Sequence, residues 1–218
     1  MEMQIEVFSD VVCPWCYIGK RRLDAVLGSK AGEGLRVTWR PYQLYPQIPE
    51  EGLPRQTFMA ARFGAGADPE QIYRRVMEEA ATEGLSFAFD RIQVAPNTFR
   101  AHRLLSWAEG SGRQHALAEV LFRFYFQQGR DVGDPAELAD AAEQAGLDAG
   151  AAAEMLNGHD EVDKVRAELS LAEAAGVTGV PFFVLGGRFA VPGAQSSQTM
   201  RQLIDRARQQ LAEQRAEP

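Results

Sequence analysis

Cysteine is nearly absent: Cys13 and Cys16 are the only two in 218 residues. Counting alone excludes a disulfide framework and a four-cysteine zinc site. The one internal disulfide available, Cys13–Cys16, closes a loop too short to restrain the unfolded chain by much. Basic charge is also scarce, with 23 Lys and Arg against 30 Asp and Glu and a net charge of −7. The basic footprint of a nucleic-acid binder is therefore missing. No uninterrupted apolar run approaches the roughly 20 residues that span a bilayer. The first cation is Lys20, so no cleaved secretory leader is expected and the cytoplasm is the expected location. A lone disulfide is a poor staple in a reducing cytosol, and the cysteine pair is better explained by chemistry. Histidines are His102, His115 and His159, none at finger-like spacing, and no metal is expected.

What is present is ordinary globular material, 45% hydrophobic and 24% charged. A chain of this length buries roughly 70% of its unfolded surface and needs no staple. Ile5 to Ser9 is β-prone. Tyr17, Ile18, Leu23, Val26 and Leu27 then recur with helical spacing up to Gly28, and Leu35 to Trp39 forms a second strand ahead of Pro41. This is a βαβ unit. The middle of the chain predicts helices only, with no strand between about residues 56 and 158. Asp68-Pro69 and Asp134-Pro135 read as N-caps followed by proline at the first helical position, and Asn97 and Asp148 as further caps. A helix over 161–175 leads back to strand-forming sequence. Phe182 to Leu185 and Arg188 to Val191 flank Gly186-Gly187, which predicts a hairpin with a two-residue primed turn. A last helix, capped by Ser196 or Ser197, carries Met200, Leu203, Ile204, Ala207 and Leu211 as its apolar stripe, and residues 214–218 are expected to fray.

The chemistry sits in Cys13-Pro14-Trp15-Cys16. A thiolate is the reactive form of cysteine, and the unpaired N–H groups and positive dipole end of a helix start stabilise it. Cys13 is predicted there. Cys16 lies one turn deeper on the same face, placed to attack a mixed disulfide on Cys13, so the spacing provides a nucleophile and a resolving thiol. A C-x-x-C beside a βαβ pattern is a redox signature.

Four motifs carry a resemblance: Cys13 through Gly19 (CPWCYIG), Arg40-Pro41-Tyr42-Gln43-Leu44, Thr178-Gly179-Val180-Pro181-Phe182-Phe183 and Val191-Pro192-Gly193-Ala194-Gln195. Together they resemble the DsbA-like thioredoxin superfamily, and within it the FrnE-type cytoplasmic oxidoreductases. The resemblance implies an α/β chain: a thioredoxin fold, residues 1–54 and 159–218, interrupted by an all-helical insertion domain, residues 55–158. It further implies a protein disulfide oxidoreductase with Cys13 as nucleophile and Cys16 resolving. Pro181 would be the cis-proline against the pair, and Val180 would offer backbone groups to an extended substrate strand. Pro14 and Trp15 would contact substrate and tune the potential. Periplasmic relatives often have histidine at the Trp15 position, which implies a less oxidising potential here than their roughly −120 mV. No prosthetic group is implied, since the dithiol is the redox centre; partners are protein or small-molecule thiols and disulfides.

The chain departs from that pattern in lacking the second cysteine pair of some FrnE-type proteins. A related branch, the 2-hydroxychromene-2-carboxylate isomerases and kappa-type glutathione transferases, generally has serine at the Cys13 position. Pro96-Asn97-Thr98 and His102 resemble that branch, so a glutathione-dependent isomerase or transferase is the alternative, with glutathione as co-substrate. A binding protein that holds an unfolded client is a third reading. Asp10, three residues before Cys13, fits either a proton relay for Cys16 or a cap of its own turn. Lys20 with Arg21 and Arg22 reads as a solvated face, and His102 as a satisfied, partly buried histidine. Phe122, Phe124, Tyr125 and Phe126 suit core or groove equally.

Overall fold

The computed structural model describes residues 2–216. The chain begins with the expected unit: strand β1 (Met3–Ser9), helix α1 (Pro14–Leu27) and strand β2 (Leu35–Pro41), with β1 and β2 parallel and Val7 opposite Trp39. Burial alternates along β1, placing Met3, Ile5, Val7 and Ser9 inward, as a strand with one face on a core requires. Pro14 opens α1 at its first position, where its missing N–H costs nothing.

A long helical stretch follows. The two-residue strand β3 (Leu53–Pro54) runs into α2 (Arg55–Phe63) and α3 (Pro69–Thr82). Strand β4 (Val94–Ala95) precedes α4 (Phe99–Trp107), α5 (Gln114–Arg123), α6 (Pro135–Gln144), α7 (Ala149–Asn157) and α8 (Val162–Ala174). The Asp68 and Asp134 side chains accept from Glu70 N–H, and from Ala136 and Glu137 N–H, as N-caps do. The chain closes with β5 (Phe182–Leu185), β6 (Phe189–Pro192) and α9 (Ser197–Ala216). The sheet order is β2-β1-β5-β6, with β5 antiparallel to both neighbours.

Several expectations need correction. A strand does occur in the helical middle: β4 pairs with β3 through Leu53–Ala95 and Pro54–Val94. Two residues are too few to show a period. The β5–β6 connection is three residues, because Leu185 pairs with Phe189 and Arg188 belongs to the turn. Gly186 and Gly187 have φ of 58° and 70°, the positive values that a primed turn demands and that suit glycine. Met77, an apolar residue of α3, is exposed. Helix α9 continues through Gln214 to Ala216, so the expected fraying does not begin there; residues 217–218 lie outside the described part.

The Lys20–Arg22 cluster is not a solvated face. Lys20 is 3% exposed and pairs with Asp24 and Glu119, both at 2.8 Å. Arg22 pairs with Glu79 and Glu83 at 2.5 and 2.7 Å. Asp24 lies one turn along α1 itself, whereas Glu119, Glu79 and Glu83 come from the helical stretch packed back over α1, which sequence distance hides.

The main hydrophobic core runs through the four-stranded sheet and most of the helices, and a second, smaller cluster joins Ile48, Phe58 and Ala95. Tyr17 of α1 stacks on Phe122 of α5, with ring centroids 5.1 Å apart and planes within 9°, and its hydroxyl donates to Glu119 at 2.8 Å. Among the described residues no helix is long and apolar enough to cross a membrane.

Candidate active site

The end of β1 turns sharply into α1. Cys13 N–H donates to the Asp10 carbonyl at 3.0 Å, and the Cys13 carbonyl accepts from Cys16 N–H at 3.0 Å. Cys13 is thus the N-cap of α1, with extended backbone (φ −91°, ψ 112°) and no cap bond from its own side chain. Its sulfur is aimed instead at the other end of the chain. The thiol donates to the Val180 carbonyl at 3.6 Å, across 167 positions of sequence. The Val180–Pro181 peptide is cis. Gly19, on the next turn of α1, faces this segment so closely that a Cβ there would lie 3.1 Å from Pro181 Cγ. The fold therefore gathers Cys13, Cys16, Val180 and Pro181 at one place, the start of α1 against the entry to β5.

The two thiols are both free, and they differ in surroundings. Cys13 is 4% exposed and Cys16 only 1%. Burial first, and the neighbouring Cys13 sulfur second, push the Cys16 thiol well above its ordinary range, against the opposing pull of the Ser9 hydroxyl and the Asp10 backbone. A buried thiol without a counter-charge keeps its proton, because desolvation penalises the anion.

Asp10 is fully buried, and its carboxylate does not cap its own turn. Oδ2 accepts from Leu44 N–H at 2.7 Å, tying the residues after β2 to the loop before Cys13. Oδ1 lies 3.4 Å from His102 Nε2, yet neither atom has a hydrogen-bond partner. His102 is 2% exposed, more deeply buried than expected and not satisfied at that nitrogen. The N-cap of α4 is Thr98, not Asn97; Asn97 stands one residue earlier, its Oδ1 accepting from Phe99 N–H at 2.9 Å and from Gln43 at 3.1 Å.

Val12, Pro14 and Trp15 form one wall of a cavity of about 230 Å³. The opposite walls come from Tyr45, Phe58, Tyr73, Phe89, Tyr125 and Phe126, with Arg55 among them. The aromatic question thus divides: Phe122 and Phe124 are core, whereas Tyr125 and Phe126 also face the cavity. Arg55 escaped the sequence reading, and Leu44 entered it only as the end of the Arg40–Leu44 motif. Nothing local marks Arg55, which reaches the site only through packing of distant segments.

A family model and several solved structures match the chain. A family model for the DSBA-like thioredoxin domain matches residues 4–205. A probable DsbA oxidoreductase from Streptomyces coelicolor is 35% identical, with a TM-score of 0.83 over 94% of this chain and 90% of its own. At 16% and 18% identity the fold alone is shared with a 2-hydroxychromene-2-carboxylate isomerase (TM-score 0.69, 96% and 98% covered) and with DsbM, a cytosolic disulfide reductase from Pseudomonas aeruginosa (TM-score 0.64, 97% and 98% covered).

Proposed function

Since the chain belongs to the DSBA-like thioredoxin family, whose fold carries the helical insertion seen here, we propose that it is a dithiol–disulfide oxidoreductase working through Cys13 and Cys16. The observation that carries the reading is the asymmetry of the pair. Cys13 caps α1 with its sulfur 3.6 Å from the Val180 carbonyl, while Cys16 is buried one turn deeper with its proton held on.

The chemistry follows from that asymmetry. Cys13, at the start of α1, is the proposed nucleophile, and it reacts as its thiolate. The thiolate attacks one sulfur of a substrate disulfide; that S–S bond breaks, a mixed disulfide to Cys13 forms, and the other sulfur leaves as a thiolate. Cys16 then gives up its proton and attacks the Cys13 sulfur. The second substrate thiol is released and the Cys13–Cys16 disulfide remains, two electrons having passed to the substrate. Asp10 is the proposed acceptor of the Cys16 proton: its backbone lies beside that sulfur and its Oδ1 is buried without a partner. Val180 and Pro181 are proposed to meet the substrate chain, and Pro14 and Trp15 its flanking groups.

No further cofactor is part of this reading, because the dithiol holds the electrons. The proposed location is the cytoplasm, where a glutathione poise of about −220 to −320 mV favours reduction or isomerisation of substrates. Trp15 has no imidazole to stabilise a thiolate, so the proposed potential lies below the DsbA value of about −120 mV; equilibration with glutathione buffers measures it. Glutathione is a proposed partner, and DsbM has been solved with GSH.

The test is a trap. Cys16→Ser protein, expressed in a bacterial cytosol, is analysed by mass spectrometry for what is bonded to Cys13. Protein adducts support the dithiol reading and identify its clients. Glutathione alone moves the assignment to a glutathione-dependent isomerase or transferase, and a free Cys13 thiol overturns both.

A further inference from the structure

We infer that the cavity beside the cysteine pair is a binding site for a small apolar disulfide that carries a carboxylate, with Arg55 as the residue that recognises the anion. The inference rests on the dithiol reading and names the substrate class of the same site.

Charge carries the argument. The chain has a net charge of −7, yet the cavity has no acidic residue in its lining and a single charged one, Arg55. Among the described residues no carboxylate pairs with Arg55. Its partners are neutral: one Nη donates to the Tyr125 hydroxyl at 3.3 Å and the other to the Tyr73 hydroxyl. The Phe58 and Tyr73 rings lie 5.7 and 5.8 Å from the guanidinium carbon. The fork is thereby fixed in place, while its charge stays uncompensated. A planar guanidinium held this way suits a carboxylate, which accepts from it in a fixed geometry.

The surroundings reinforce the sign. Arg75 stands over Trp15 at 5.7 Å and Arg62 over Phe63 at 5.4 Å, so two further guanidiniums rest on rings that line the cavity. Everything else in the lining except backbone, the tyrosine hydroxyls and the Trp15 indole N–H is apolar. At about 230 Å³ the space is smaller than the roughly 300–1,000 Å³ of clefts for drug-sized ligands. It fits one ring or branched aliphatic group. Val12, Pro14 and Trp15, the residues on either side of Cys13, form the near wall, although Cys13 itself is not in the lining; a ligand seated there lies beside the start of α1, and its sulfur is proposed to meet Cys13 at the cavity's edge. The step is the exchange described above: the reduced pair supplies two electrons and the acidic disulfide leaves as two thiols.

The test is single-turnover reduction of two aryl disulfides by the reduced, full-length protein. One is the dianionic 5,5′-dithiobis(2-nitrobenzoate), the other the neutral 4,4′-dithiodipyridine. Each rate is divided by that of free glutathione with the same reagent, which removes intrinsic reactivity. The normalised rate should favour the anion, and Arg55→Gln should lower it for the anionic reagent by about ten-fold, the worth of one charge-assisted hydrogen bond, leaving the neutral reagent unchanged. Arg201→Gln, the same charge change on the exposed face of α9, should alter neither. Equal loss on both reagents, or no loss on either, overturns the assignment while leaving Cys13 an active nucleophile. Wild-type Cys13 that reacts with neither reagent faster than free glutathione would remove the dithiol reading itself. Should Arg55→Gln not fold, the wild type decides: benzoate must inhibit reduction of the anionic reagent competitively, and benzyl alcohol at the same concentration must not.

Discussion

Cys16 shows what burial does to one sulfur. Its thiol is pushed up by desolvation, so the folded protein keeps a proton that the unfolded chain loses near pH 8.5. The sign follows: a group whose pKa is raised on folding contributes stability that is fully present below the unfolded value and lost as pH rises beyond it. The melting temperature of the reduced protein should therefore fall between about pH 8 and 10 more steeply than that of Cys16→Ala, as differential scanning fluorimetry would show. On the proposed dithiol mechanism the same thiol limits turnover. The mixed disulfide on Cys13 should resolve faster as pH increases, with Asp10→Asn slowing this step about ten-fold or more and flattening its pH profile. An asparagine keeps an oxygen for the Leu44 N–H, so an unchanged melting temperature would separate proton transfer from structural damage.

At the scale of elements, α1 is placed by contacts that leave little slack. Gly19 lies against Pro181, Phe183 and Ala194, which a Cβ would meet at 3.1, 3.4 and 3.6 Å. Gly19→Leu should destabilise by about 2 kcal/mol through overpacking and pull Cys13 out of register with Val180, lowering exchange activity as well as the urea midpoint. The outer strand β2 is protected differently. The Gln114 side chain accepts from Trp39 N–H at 2.8 Å and donates to Trp39 O at 3.0 Å, supplying a side-chain substitute for a neighbouring strand. Gln114→Leu leaves both groups buried and unpaired and should cost about 2–4 kcal/mol, measurable by urea denaturation.

For the molecule as a whole, the ion pairs of α1 join parts far apart in sequence. Arg22 binds Glu79 and Glu83 of the α3 end and also the Ala194 carbonyl beyond β6. Arg22→Ala should cost about 2 kcal/mol, less than the roughly 3–5 of a fully buried pair because the Glu79 side chain is 40% exposed. Since the main core threads the four-stranded sheet and most of the helices, these should unfold in a single transition. Far-UV circular dichroism, aromatic near-UV signal and exchange activity should then share one midpoint.

Local signals in the sequence determined the element order, the caps at Asp68 and Asp134, the helix start at Pro14 and the cysteine spacing, because those depend on neighbours a few residues away. They also made the Cys13–Pro181 pairing legible through motif resemblance. They did not reveal Glu119 as a partner of Lys20 or Glu79 and Glu83 as partners of Arg22, the His102 side chain facing Asp10, the β3–β4 ladder or the presence of Arg55 in the cavity wall. Each of these joins residues tens of positions apart, and charge, exposure and proton affinity belong to the surroundings a side chain acquires on folding. Tertiary structure alone makes Cys13 and Cys16 unequal: both are cysteines three residues apart, and packing decides which sulfur stands at the Val180 carbonyl and which is sealed beneath it.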